Sequence, residues 1–438
     1  MTRRYAVVGL GHRAQMYVDA LLGDFSDTGE IVALCDPNRT RMDYYNERIT
    51  ASGRPPAACF APHEFATVLE RVDAVVVTSV DATHARYVCA ALDASRDVVV
   101  EKPLTTDAAG CAAIAAAAER STADLVVTFN YRYAPRNSAV RRLLADGRIG
   151  TPTSVHFEWV LDTIHGADYF RRWHRDRASS GGLLVHKATH HFDLVNWWLD
   201  AHPELVFAQT SLAFYGSDNA RGRGAGPRPT RSRGAPGLGS DPFLLDIAAD
   251  ERLKRLYLDA EHEDGYLRDQ DVFGDGVTID DNMSVLVRYD DRTLLTYSLN
   301  AHAPYEGYRV AVNGTEGRLE LDVCERAWTP PAAAVDPSAG HKEHAEGAWQ
   351  RLTVQRHWSR AEEVAVDEDG GAHGGGDALL LHDVFRGSGH DPLHRRAGYA
   401  DGIRSVLIGS AANESARTGR PVALTDVRVP AAERGDSP

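Results

Sequence analysis

The sequence predicts an α/β fold: an N-terminal parallel sheet flanked by crossover helices, followed by an α+β domain on an open, largely antiparallel sheet. Three observations carry this. Short β-branched runs alternate with helical stretches up to about residue 128, and a glycine turn follows the first run. Beyond Thr151-Pro152 the apolar residues take the every-second-residue spacing of half-buried strands. At 438 residues, a prior of about 150 per domain allows two or three domains. The 48 Lys+Arg against 62 Asp+Glu give a net charge of −14, which disfavours nucleic acid and anionic membrane surfaces as partners.

Taken in order, Tyr5–Val8, Ile31–Leu34, Ala74–Val77, Val98–Val100 and Leu125–Val127 read as strands buried on both faces, joined by right-handed crossovers. The Ala-rich stretch Ala108–Arg120 is one crossover helix, with Thr105 or Thr106 as its N-cap. The division falls near residues 130 to 150, giving a first domain over 1–130 and a second over 131–438. In the second, Ser154–Val160, Ser284–Tyr289, Leu294–Leu299, Arg309–Val312 and Arg318–Leu321 alternate as strands, with turns at Asp290-Asp291 and Asn313-Gly314. The helix-prone stretch Gly398–Arg417 is expected to pack back onto the molecule, and an open sheet face of this kind predicts a homo-oligomer, dimer or tetramer.

Ser217–Asp275 reads as an insertion. Its first part, to Ser240, holds six Gly, three Pro and five Arg against one Asp, and predicts a mobile surface loop. Its second part, Asp241–Asp275, reverses sign with eleven acidic and four basic residues, and Leu253, Leu256 and Tyr257 suggest a short amphipathic helix. A lid and a solvated excursion are both open for it. Ala361–Ala378 reads as a second loop. The first apolar stretch, Ala6–Leu10, is too brief for a signal peptide, and no run approaches the roughly 20 apolar residues of a membrane span, so a cytoplasmic protein is expected. Five dispersed cysteines without CxxC spacing argue against disulfides and a thiolate zinc site and read as reduced, mostly buried thiols.

Gly9-Leu10-Gly11-His12-Arg13-Ala14 closes a predicted strand and opens a predicted helix, the G-x-G-x-x-A form of a dinucleotide fingerprint. Its glycines let backbone N–H groups approach a pyrophosphate at the helix N-terminus. Asp36, 25 residues after Gly11, ends the second strand where a carboxylate accepts hydrogen bonds from an adenosine ribose. Asp36 favours NAD; Arg39 and Arg41 lie close enough to clamp a 2′-phosphate, which leaves NADP open.

Glu101-Lys102-Pro103 directly after a buried strand, together with the fingerprint, Thr83-His84 and the block beginning Gly181-Gly182, resembles the Gfo/Idh/MocA family, which includes glucose-fructose oxidoreductases and inositol dehydrogenases. The resemblance covers most of the chain outside Ser217–Asp275. It implies a Rossmann domain, cofactor contacts that extend to Ser79, His84, Glu101 and Lys102, and a role for Lys102 beside the nicotinamide and the substrate hydroxyls. The family's second block usually reads G-G-x-x-x-D-x-x-x-H-x-x-D; here it runs from Gly181 to Asp193, with His190 at the catalytic histidine and His186 where the family has Asp.

An imidazole suits proton acceptance from an alcohol near neutral pH, so His190 is the expected general base. On one continuous helix His186 and His190 would stand a turn apart, with Asp193 in reach of His190. His186 then either shares proton handling or alters the preferred substrate charge. Lys187 points about 100° away on such a helix and is a lesser candidate than the two histidines, though able to touch a substrate anion. Two imidazoles at i and i+4 also fit a metal face, but no third ligand is identifiable, and no metal is expected. Arg172 and Trp173, in Tyr169–Arg175, suit an anion and a sugar face, although a solvated arginine run fits as well. Tyr131 or Arg132 is expected near the substrate by family likeness, and Phe192, Trp197, Trp198 and Leu199 read as core.

The expected reaction is hydride transfer between the cofactor and a secondary alcohol of a sugar, glycoside or cyclitol. Two alternatives stand beside it: an NAD-dependent glycosidase or lyase working by transient oxidation and elimination, and a nucleotide-binding sensor without turnover.

Overall fold

The computed structural model of the chain describes residues 2–329, 347–366, 376–387 and 389–424. The first sheet is parallel: β1 (Arg3–Val8), β2 (Gly29–Cys35), β3 (Ala58–Phe60), β4 (Ala74–Val77), β5 (Asp97–Val100) and β6 (Leu125–Val127), in the order β3-β2-β1-β4-β5-β6. Its central strands carry the apolar runs Tyr5–Val8 and Ala74–Val77, and Val7, Val8, Val75, Val76 and Val77 are buried because helices cover both faces. The strand order reverses between β1 and β4, which opens a crevice at their C-terminal ends. β3 is not among the predicted strands: at three residues, with one fully buried, it carries too short a pattern to register. The Ala-rich helix runs Ala108–Arg120 as expected, but its N-cap is Asp107, whose side chain accepts from the Gly110 N–H, rather than Thr105 or Thr106.

Among the described residues the second sheet has nine strands, in the order β14-β13-β12-β11-β7-β10-β9-β8-β15. These are β7 (Pro152–Asp162), β8 (Pro203–Ser211), β9 (Asn282–Tyr289), β10 (Leu294–Ala303), β11 (Glu306–Gly314), β12 (Gly317–Arg326), β13 (Trp349–Arg356), β14 (Glu362–Val364) and β15 (Val422–Ala423). It is mostly antiparallel, with β7 and β10 paired in parallel at its centre. In β9 and β10 exposed and buried residues alternate, so one face packs and the other is open. The packed face is covered by the helices Thr189–Leu199 and Tyr399–Thr418. Phe192, Trp197 and Trp198 lie in that core. The Ala361–Ala378 stretch is not simply a loop: β14 lies in it, the helix Gly376–Arg386 ends it, and 367–375 fall outside the described residues.

The insertion departs from expectation. Its basic first part is tied to its acidic second part: Arg228 bridges Asp271 and Asp241, Arg231 bridges Asp269 and Glu261, and the Ser232 N–H donates to the Asp269 carbonyl at 2.8 Å. The charge reversal along the chain is therefore a complementary pair of halves, and the mobile loop expected from composition is a fastened one. Leu245, Ile247, Leu253, Leu256 and Tyr257 bury themselves against the first domain. Asn38 Nδ2 donates to the Ala260 carbonyl and Arg41 Nε to that of Leu256. The insertion is therefore packed on the first domain rather than standing out in solvent.

Candidate active site

A cavity of about 780 Å³ lies along the C-terminal edge of the first sheet. Loops after β1, β2, β4 and β5 form one side, the segment from His165 to His190 another, and Tyr257, Asp264 and Tyr266 of the insertion close it.

At the nucleotide end, Gly9 has φ +82°, and a Cβ there would collide with the backbone of Ser79. Only glycine fits, which is what a chain crossing this close to β4 demands. The helix Ala14–Leu22 starts just beyond, so its N-terminal dipole faces the crevice. Asp36 is buried at the end of β2 and accepts from the N–H groups of Leu10 at 2.6 Å and Asn38 at 2.8 Å; burial pushes its pKa up, against the pull of Arg41. A glycine cradle, a helix N-terminus and a carboxylate ending β2 together fit a dinucleotide. Gly9, Gly11, His12, Arg13, Asp36, Arg41, Ser79, His84, Glu101 and Lys102 all line the cavity.

Some expected contacts are differently used. Ala14 is wholly buried and does not line the cavity; its small side chain lets the helix sit on the sheet. His84 holds the wall from behind, with its ring nitrogens on the carbonyls of Pro103 at 2.8 Å and Ser79 at 3.0 Å. The expected 2′-phosphate clamp is engaged elsewhere: Arg39 pairs with Asp43 on the surface, and Arg41 pairs with Asp264 of the insertion at 2.9 Å. Two insertion residues that sequence reasoning missed thus stand at the nucleotide end, Asp264 and Tyr257, whose hydroxyl accepts from the His12 N–H at 2.8 Å. The apolar Leu253-Leu256-Tyr257 spacing was the signal for the second.

At the other end, Lys102 follows β5 and precedes a cis peptide to Pro103. Its Nζ donates to the His186 carbonyl at 3.1 Å and lies 3.4 Å from His186 Nε2. His186 Nδ1 lies 2.5 Å from Asp81 Oδ2. A neutral imidazole satisfies both contacts, with Nδ1–H donating to Asp81 and Nε2 accepting from Lys102. Burial, and then the charge on Lys102, holds the His186 pKa well below the usual value, in keeping with that form. Burial also drives Asp81 up and Lys102 down, while each opposes the shift of the other. Asp81 is the third residue that sequence reasoning missed; a carboxylate four residues after a strand's C-terminal end was its only sequence signal.

His186 and His190 do not share one helix. His186 ends the short helix Leu183–His186 and His190 lies in Thr189–Leu199, with Lys187 and Ala188 between. Gly181 and Gly182, at φ +70° and +77°, turn the chain into this arrangement. Both histidines still reach the cavity. His190 packs against Tyr131, ring centres 4.7 Å apart. Asp193 is taken up by Arg132, which holds it by two hydrogen bonds, at 2.6 and 2.8 Å, and also pairs with Asp401 at 3.2 Å. Arg132 therefore does not line the cavity, contrary to expectation; it fastens the 130–133 turn to the helix carrying His190, because a buried guanidinium needs those carboxylates.

Tyr131, Arg172, Trp173 and Lys187 do line it. Arg172 pairs with Asp168 at 3.2 Å, so the solvated arginine run does not hold; Arg171 and Arg175 are buried. Among the described residues no group of three or more His, Cys, Asp or Glu is arranged to hold a metal ion, and no helix is long and apolar enough to cross a membrane. All five cysteines are free: Cys35, Cys111 and Cys324 are buried, and Cys59 and Cys89 are half-buried.

Comparison with known proteins adds the lineage. Residues 3–129 match the description "Oxidoreductase family, NAD-binding Rossmann fold", and residues 141–424 match "Oxidoreductase family, C-terminal alpha/beta domain". The chain is 33% identical to the putative oxidoreductase YteT of Bacillus subtilis, over 96% of this chain and 97% of that one. It is 37% identical to an inositol 2-dehydrogenase of Agrobacterium fabrum, over 36% of this chain and 45% of that one. An NAD binding oxidoreductase from Klebsiella pneumoniae shares the fold, with a TM-score of 0.65 at 18% identity over 97% of this chain and all of that one.

Proposed function

The chain belongs to the Gfo/Idh/MocA oxidoreductase family, and from that premise we propose that it is an NAD-dependent dehydrogenase acting on a secondary alcohol of a sugar, glycoside or cyclitol. The observation that carries this reading is the presence of Lys102 and His190 in the same cavity as the glycine cradle. Bound NAD supplies hydride acceptance and return. Lys102, fixed by His186, holds and polarises the substrate oxygen. His190 takes the hydroxyl proton as the carbonyl forms. His186 and Asp81 keep Lys102 in place and tune its charge. Tyr131 and Trp173 offer ring faces to the carbon skeleton. The likeness to an inositol dehydrogenase supports a polyhydroxylated substrate. Asp36 at the ribose position, with Arg41 committed to Asp264, supports NAD over NADP. Five free thiols support a cytoplasmic setting.

The test incubates the protein with NAD and a panel of free sugars, cyclitols and glycosides, following reduced cofactor and aglycone release together. Stoichiometric NADH is the expected result. Aglycone release without net NADH would replace this reading with oxidation–elimination, and binding without turnover would replace it with a sensor. Lys102→Ala and His190→Ala should each lower kcat/KM by roughly 10² or more while NAD binding persists.

A further inference from the structure

At the substrate end of the cavity a buried cation has no counter-ion of its own among the described residues. Lys187 lines the cavity and is 3% exposed. Its Nζ sits 4.7 Å from the centre of the Trp159 ring and 3.4 Å from the Tyr131 hydroxyl. Among the described residues no carboxylate lies within ion-pair distance of it. The two whose charge reaches it are engaged elsewhere: Glu306 with His165 at 2.7 Å and Arg326 at 3.4 Å, Glu325 with Arg136. Burial lowers the Lys187 pKa only to about 8, so the group is still largely charged at neutral pH.

An ammonium taken out of water and set among rings is costly to keep unless a counter-ion arrives. The chain as a whole carries −14, yet among the described residues no acid stands beside this lysine. The space next to it is the substrate's. Building on the dehydrogenase reading, we infer that the substrate is a sugar acid whose carboxylate pairs with Lys187 inside the cavity. A phosphate fits less well, because it brings close to two charges and three acceptor oxygens to a single ammonium flanked by rings.

The experiment measures binding to the protein–NAD complex by calorimetry, and turnover by NADH, for D-galacturonate and D-gluconate, their neutral parents D-galactose and D-glucose, and D-glucose 6-phosphate. The expected result is that the acids bind at least tenfold tighter than their neutral parents and than the sugar phosphate. Lys187→Met should abolish that preference, and Lys187→Arg should keep most of it. NAD binding by each variant reports that the fold is intact. Acids binding no tighter than neutral sugars, or a preference that survives in Lys187→Met, would overturn the inference. Neutral sugars oxidised with no acid preference would leave the dehydrogenase reading standing without it. Acids bound through Lys187 with no NADH from any compound would do the reverse.

Discussion

Asp81 gives His186 the neighbouring negative charge that the family pattern places in the side chain at position 186 itself. The replacement is spatial rather than sequential: the two residues lie 105 positions apart, and the loop after β4 brings them within 2.5 Å. The consequence is a chain of contacts, Asp81 to His186 to Lys102, in which the carboxylate raises the lysine's pKa against the burial that lowers it. The sign of a pH effect follows. Asp81→Asn removes the raising influence, so Lys102 loses its proton at lower pH, and the high-pH limb of kcat/KM should move to lower pH. The same change leaves His186 without an anionic acceptor for Nδ1–H, and kcat should fall by roughly tenfold or more. A pH–rate profile of the variant against the parent checks both; an unmoved limb would mean that Asp81 only packs. At this scale the sequence revealed residues whose spacing is local. Lys102 was marked by its strand, and His186, Lys187 and His190 by the glycine pair. Asp81 and Glu306 act through partners more than a hundred positions away, and Arg132 was misread because its two carboxylates, Asp193 and Asp401, are distant in sequence as well.

The element that most changes the site is the insertion. Its two halves looked unpromising separately, one glycine-rich and basic, the other acidic, because composition reports how little apolar surface a segment buries by itself. Paired through Arg228 and Arg231 they make a body that buries Leu253, Leu256 and Tyr257 on the first domain. From that position Asp264 draws Arg41 into an ion pair at 2.9 Å, while Arg41 stays 3.8 Å from Asp36. The insertion thereby neutralises the cation best placed to greet a 2′-phosphate. Asp264→Asn should release Arg41, and the ratio of NADP to NAD dissociation constants should fall about tenfold, equivalent to ~1.4 kcal/mol. Fluorescence titration of both cofactors into parent and variant measures it, and an unchanged ratio would place cofactor choice with Asp36 alone. Regular elements were easier to read than this one. Strands with strong alternation were found, whereas β3, β8, β13, β14 and β15 were not: several are edge or near-edge pieces, short or weakly apolar, and are set by their neighbours' hydrogen bonds.

For the whole molecule, the change of apolar spacing near residue 150 was enough to foresee two different sheets, because a sheet covered on both faces and one covered on a single face need different patterns. The cavity was not foreseeable as a shape, since its third wall is the insertion folded back over the first domain. What remains open is the outer face of the second sheet. It presents His156, Glu158, Thr296, Ser298, Arg309, Glu320 and Asp322, with Leu286 and Leu294 about half exposed among them. Such a face is too polar to drive assembly by apolar burial alone, but it offers acids, bases and hydroxyls in register for a self-complementary contact about a twofold axis. The expected state is therefore a dimer or tetramer held through this face. Native mass measurement should show it, and Arg309→Glu, which breaks the pair with Asp322 at 2.9 Å and adds like charge to the face, should shift the population towards monomer with NAD affinity unchanged. Arg309 does not line the cavity, so retained cofactor binding separates loss of assembly from loss of fold. A parent protein that is monomeric at micromolar concentration would leave the open face without a partner of its own kind.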